Sequence, residues 1–225
     1  MLELTSSPLF GVSLCLGAYT LSLIIKNRFN YTILNPVLVS AIIIIGVLTA
    51  FKIPLRNFMI GGDFITMLIA PATAALALSM YRQMHIIKKY FLPIVVGSIV
   101  GASVALVSIY LLCRVFDMPA EITASLLPKS ITTAFATKLS EQFGGLVPIT
   151  IAGVSVTGIF GAISAPYLIK FLKIKDPIAS GLAIGAASHA LGTSKAIEIG
   201  EAEGSASGIA VGLCGIVTVI IAIFL

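Results

Sequence analysis

Four apolar stretches open the chain, residues 8–25, 35–51, 64–80 and 91–113, and each reaches the ~17–25 residues that a helix needs to cross a ~30 Å hydrocarbon core. Only short clusters of charge separate them: Lys26 and Arg28, then Lys52, Arg56 and Asp63, then Arg82, Lys88 and Lys89. Charged residues make up 10% of the chain, against roughly a quarter in a soluble domain, so the sequence predicts an all-α polytopic membrane protein forming one transmembrane domain, 1–225. The net charge of +5 does not point to nucleic acid, because the cations fall between apolar runs, where they set topology. Cys15, Cys113 and Cys214 each lie inside an apolar run without metal-ligand spacing and read as small buried hydrophobes. Residues 1–5 lack a basic cluster and further apolar runs follow the first, so no removable signal peptide is expected.

After Arg114 long and short segments alternate. Residues 121–136 are apolar but short, the polar stretch LPKSITTAFATKLSEQFGG runs across their end, residues 146–172 form a full span, 177–191 are short again, and 205–225 form a last span. The words TKLSE and SKAIE place Lys138 and Glu141 in register with Lys195 and Glu198, and the same separation sets Thr132 against His189. Each word follows a short apolar segment and precedes a Gly-rich span, which marks an internal repeat of units 120–172 and 177–225 after a four-helix part, 1–119.

Loop charge bears on orientation. If both short segments dip in and return, with the N-terminus outside, then Lys26, Arg28, Arg82, Lys88, Lys89, Lys170, Lys173 and Lys175 are cytoplasmic, and only Lys52, Arg56 and Arg114 lie outside. If both cross fully, the Lys170, Lys173 and Lys175 cluster falls outside, which is less favourable. The first arrangement gives about six full transmembrane helices plus two interrupted, re-entrant segments that enter from opposite faces, an inverted repeat of the kind found in secondary transporters. The expected location is the cell (inner) membrane, with multiple passes.

Interrupted segments at corresponding places in two such halves point to a substrate site near the midplane. Pro128, Gly144, Gly145, Gly192 and Gly200 are candidates for the breaks. Exposed N–H groups at half-helix N-termini favour anions, and Ser130, Thr132, Thr133, Ser188, Thr193 and Ser194 could complete a carboxylate shell, with Lys129, Lys138 or Lys195 supplying charge. Lys138 with Glu141, and Lys195 with Glu198, can each pair on one helical face. His189, whose unperturbed pKa lies near 6.5, is the candidate for a coupling proton, with Glu141 and Glu198 next. His85 reads as an interfacial loop residue, Glu201 and Glu203 as surface residues, and Pro71 as a kink in its span. The small residues of GVSVTGIFGAISAP and GSASGIAVGLCG suit close helix packing. No metal cluster, nucleophile–base pair or phosphate loop is present, and neighbouring Ser188 and His189 would point ~100° apart on a helix, so neither an enzyme nor a cofactor is expected.

The segments LLPKSITTAFA, TGIFGAISAP, GLAIGAASHALGTSKAIEIGEAEGSASGIA and IAPATAALALSMYRQ together resemble the LrgB/CidB family of bacterial membrane proteins, over essentially the whole chain. Ser-His-Ala-Leu-Gly-Thr is the most specific element. The resemblance implies holin/antiholin-like modulation of murein hydrolase activity and cell lysis, with a small LrgA/CidA-type membrane partner. It equally implies carboxylate transport, since plant members include a plastidic glycolate/glycerate translocator and some bacterial members are implicated in pyruvate uptake. Ala134 stands where many relatives carry proline, which bears on the geometry of the first break.

Two functions therefore stand against each other. One is a secondary transporter of small monocarboxylates, probing a small organic anion at the two breaks. The other is a holin-like homo-oligomeric pore, or a regulator of one, which needs no stoichiometric polar site. Two symmetric breaks exceed what lesion formation requires and favour the first. On this reading, cysteine placed at Lys173 is labelled from the cytoplasm and cysteine at Arg114 from outside. Labelling of both from one side, or the reverse pattern, contradicts the inverted repeat.

Overall fold

The computed structural model describes residues 5–29, 34–68, 71, 74, 81 and 84–224, and every regular element among them is helical. They group into two units, Met1–Leu76 and Ala77–Leu225.

In the first unit α1 spans Pro8–Phe29, α2 Pro36–Ala50 and α3 Leu55–Met67. Asn35 starts α2 by accepting the Val37 N–H at 2.9 Å, with Pro36 in the first turn where its missing donor costs nothing. The sequence places a charged break at residues 52–63, yet the chain is helical from Leu55. Arg56 and Asp63 stay exposed while the opposite side of α3 meets α1, so closely that a methyl at Gly11 would stand 2.5 Å from the Phe58 carbonyl oxygen. The span expected at 64–80 begins inside α3, which ends at Met67. Most of its remainder, the neighbours of Pro71 and Arg82 all lie outside the described residues.

The second unit contains α4 (Met84–Lys89), α5 (Phe91–Val115), α6 (Ala120–Leu126), a 3-10 turn (Leu127–Ser130), α7 (Thr133–Gln142), α8 (Val147–Phe171), α9 (Pro177–Ile199) and α10 (Glu201–Ile223). His85 lies exposed on α4, in a short helix where a loop is expected. α1, α5, α8 and α10 are long and apolar enough to cross a membrane, and α2 is a shorter apolar helix.

Both short segments fold back. The Ser125 hydroxyl accepts the Leu146 N–H at 2.6 Å, and Leu126 and Lys129 lie over Gly153, so α6 and the 3-10 turn run alongside the start of α8 in its own direction. α7 then returns antiparallel: Ala136 and Leu139 cluster with Val154, and Ser140 meets Thr150. α9 has the length of a crossing helix, but its packing is that of a hairpin. Gly181 abuts Glu203 and Gly185 abuts Ser207 on the way in, Thr193 meets Ser207 and Ile197 meets Gly204 on the way out. The reversal is at His189, whose φ of 41° and ψ of −143° interrupt the helix.

The residue separation read from the sequence recurs in the backbone. Ala120 and Pro177 begin the two hairpins, Thr132 and His189 mark their breaks, and Gln142 and Ile199 end their returning limbs, all three pairs at the separation of Lys138 and Lys195. Hairpin 1 enters beside the N-terminus of α8. Hairpin 2 enters beside its C-terminus, since Ile184 packs on Ala165 and Ser188 on Gly161. The two units thus enter from opposite ends of α8. α5 runs parallel to α10, with Ile94 against Ala206 and Ile209, and the Cys214 thiol donating to the Ser98 carbonyl at 3.5 Å. Lys88, Lys89, Lys170, Lys173 and Lys175 consequently gather at one end of this unit and Arg114 at the other.

Each returning limb is tied to the following span by a buried hydroxyl pair. Thr150 donates to Ser140 at 2.7 Å, Thr193 and Ser207 lie 2.8 Å apart, and Thr150 and Ser207 are repeat mates. Thr150→Val and Ser140→Ala should each destabilise the protein by about 0.5–2 kcal/mol, with the double variant losing less than the two singles together. Additive losses in a reversible unfolding assay in lipid or detergent would contradict that pairing.

Candidate functional site

Val154, in the second turn of α8, joins the two hairpin tips. Its carbonyl oxygen accepts the His189 Nε2–H at 2.9 Å, and its side chain is buried in one cluster with Ile131, the residue at the break of hairpin 1. Breaks that are remote in sequence therefore lie at one level of one helix. That is the geometry an inverted repeat uses to form a single site.

The first break runs from Pro128 to Thr132. The proline starts a 3-10 turn, Ile131 is extended, and Thr132 caps α7 without a side-chain bond of its own. The Thr132 carbonyl accepts from Phe135 and Ala136 at 3.0 and 2.9 Å, which leaves the N–H groups of Thr133 and Ala134 without an intrahelical acceptor. Lys129 is half-buried at this tip, and its ammonium donates to the Ser130 hydroxyl at 3.3 Å. Among the described residues no carboxylate pairs with it. Its charge is felt at the His189 ring, so the cation of one tip and the imidazole of the other share an electrostatic environment.

The second break is a single residue. A φ of 41° is a region that favours glycine, and holding histidine there costs about 1–3 kcal/mol. His189 is 3% exposed, and the bond to Val154 places the neutral tautomer's proton on Nε2 and leaves Nδ1 to accept. Gly158 makes room for it: a methyl there would stand 2.5 Å from His189 Cε1 and 2.8 Å from Leu191 Cδ1. Ser188 is buried against Gly161 and Gly192.

Not every residue named from the sequence faces this junction. Thr193 donates to the His189 carbonyl at 3.1 Å and accepts from Ser207, so its hydroxyl is spent inside the protein. Thr133 and Ser194 are exposed, the latter donating to the Ala190 carbonyl at 3.3 Å. Lys138 bonds Glu141 at 3.0 Å and Lys195 bonds Glu198 at 2.7 Å, both pairs on returning limbs beyond the tips. Gly192 is helical and not a break, because its role is to accommodate Ser188; Gly144, Gly145 and Gly200 end the hairpins. Val154 was not singled out from sequence, and Gly158 was read only as one of the small residues of GVSVTGIFGAISAP suited to close packing. A backbone carbonyl leaves no mark in residue type, and Gly158 stands out only when the repeat register is carried into the spans.

Residues 15–225 match the profile described as the LrgB-like family. The chain is 38% identical over 205 residues to YxaC of Bacillus subtilis (strain 168), covering 91% of this chain and 89% of the relative. It is 31% identical over 201 residues to YwbG of the same strain, covering 89% of each. With the antiholin-like protein LrgB of Bacillus mycoides (strain KBAB4) it shares 33% identity over 218 residues, 96% of this chain and 95% of the relative. No solved structure matches.

If the backbone at position 189 is held against its preference, His189→Gly should be more stable than His189→Ala by about 1–2 kcal/mol, although both lose the bond to Val154. Equal thermal stability of the two variants would remove the strain.

Proposed function

The chain belongs to the LrgB-like family, and on that footing we propose that it is a membrane carrier for small monocarboxylates of the pyruvate, glycolate or glycerate type. The observation that carries this reading is Lys129. A lysine at membrane depth needs a counter-charge, and Lys129 has no carboxylate partner among the described residues. A bound carboxylate supplies one, with the hydroxyls of Ser130 and Thr132 and the N–H groups of Thr133 and Ala134 as further donors. The neutral pair of a carboxylate and a proton is cheaper to move than the anion. His189, near Lys129, is the proposed proton acceptor through Nδ1, while Nε2–H keeps its bond to Val154. Each charge then raises affinity for the other, so anion affinity should increase as pH falls through the histidine's pKa. By the positive-inside rule the end bearing Lys88, Lys89, Lys170, Lys173 and Lys175 is cytoplasmic, with the N-terminus outside. The reading assigns the protein no enzymatic step and no cofactor.

A second reading is supported by the name antiholin-like protein LrgB that relatives carry. In it the chain regulates a pore as a homo-oligomer or with a small LrgA/CidA-type membrane partner, and Lys129 needs no ligand. Purified protein in liposomes separates the two. The carrier takes up radiolabelled pyruvate, glycolate or glycerate saturably, and more strongly with an inward proton gradient. Lys129→Gln should weaken apparent affinity by roughly ten- to a hundredfold, and His189→Gln should flatten the pH dependence without abolishing binding. Dye leakage without saturable uptake would favour the pore regulator.

A further inference from the structure

Gly158 and Gly215 occupy the same place in the two repeat units, at the separation that relates Thr132 to His189. Each is buried in the full span of its own unit and faces the hairpin tip of the other. Their surroundings differ. At Gly158 the opposite tip is docked hard, and a methyl would stand 2.5 Å from His189 Cε1 and 2.9 Å from Nε2. At Gly215 a methyl would meet Phe135 at 3.7 and 3.9 Å, which is ordinary van der Waals contact. Strict two-fold symmetry would instead bring Thr132 and Ala134, the mates of His189 and Leu191, against Gly215. Phe135 is 51% exposed and Thr132 is half-buried, whereas His189 is 3% exposed.

The structure therefore explains a glycine at 158 and not at 215. Glycine within a helix is less favourable than alanine, and at 215 alanine fits. We propose that Gly215 is the seat for the tip of hairpin 1 in a second state, in which that tip docks on α10 as the tip of hairpin 2 docks on α8 here. The present structure is the state with hairpin 2 seated at Gly158 and hairpin 1, though packed on α8 through Ile131 and Ala136, not seated at Gly215, and exchange between the two moves the shared site from one face to the other. The inference rests on the carrier reading for its purpose, but the two states themselves do not depend on which anion is carried. Small differences in seating suffice for such a switch, because packed interfaces tend to hold discrete arrangements.

Gly215→Ala is compatible with the present state and crowds the second. Overpacking of this kind should shift the ratio of states by roughly ten- to a hundredfold toward the one described here. Spin labels on cysteines at Lys138 of hairpin 1 and Gly212 of α10, with the native cysteines replaced by alanine, report the change in lipid nanodiscs by pulsed electron resonance. The glycine parent should show two distance populations. Gly215→Ala should lose the shorter one, retain its thermal stability, and take up pyruvate at least roughly tenfold more slowly than the parent. A parent and a Gly215→Ala variant with the same distance distribution would overturn the proposal, whatever their uptake. Two populations that collapse in the variant, in a parent that takes up no pyruvate, glycolate or glycerate, would uphold the two states and sink the carrier reading.

Discussion

The hydrogen bond from His189 to the Val154 carbonyl is the interaction around which the second unit is arranged. It fixes the tip of one hairpin to the span that belongs to the other hairpin's repeat unit. A carbonyl in the middle of a helix already accepts one bond, so the imidazole uses its second lone pair and takes nothing from α8. For the ring to reach it, the backbone at position 189 must turn into a conformation that suits glycine, and Gly158 must leave its side of α8 bare. One contact thus accounts for an unusual dihedral, a glycine and the depth at which the second hairpin reverses.

Irregular backbone at this depth is costly in hydrocarbon unless protein surrounds it. Here each hairpin is secured to the span that follows it by a buried hydroxyl pair, and the incoming limb of hairpin 2 lies backbone to backbone against α10 at Gly181 and Gly185. Those contacts use up Thr150, Ser140, Thr193 and Ser207 as structural glue. Polar groups not used in this way at the tips include, among the described residues, Lys129, Ser130, Thr132, the first N–H groups of α7 and one nitrogen of His189.

Much of this was legible in the sequence, and the parts that were not have physical reasons. Apolar run length gave α1, α2, α5, α8 and α10 to within a few residues, because hydrocarbon thickness dictates helix length. The register of Lys138 with Lys195 put Thr132 against His189, the two residues at which the hairpins break. Glycine was the wrong guide to the second break: Gly192 sits three residues past it in regular helix, and a histidine takes the conformation glycine would suit. α3 runs through Arg56 and Asp63, which were read as part of a break, since helical periodicity can keep both on an exposed side. Thr193 was read as a ligand group, whereas its hydroxyl here bonds the His189 carbonyl and Ser207, a partner across a turn that composition does not reveal.

The central claim is that the ammonium of Lys129, which pairs with no carboxylate among the described residues, meets the carboxylate of the transported molecule. Magic-angle-spinning NMR measures that contact directly, with the protein in lipid, lysine labelled with nitrogen-15, and pyruvate labelled with carbon-13 at its carboxyl carbon. The account predicts dipolar dephasing of the bound carboxyl by an ammonium at ~3–4 Å, lost when Lys129 is replaced by glutamine. Bound pyruvate whose carboxyl shows no dephasing by a lysine nitrogen, or dephasing that persists in that variant, would contradict it.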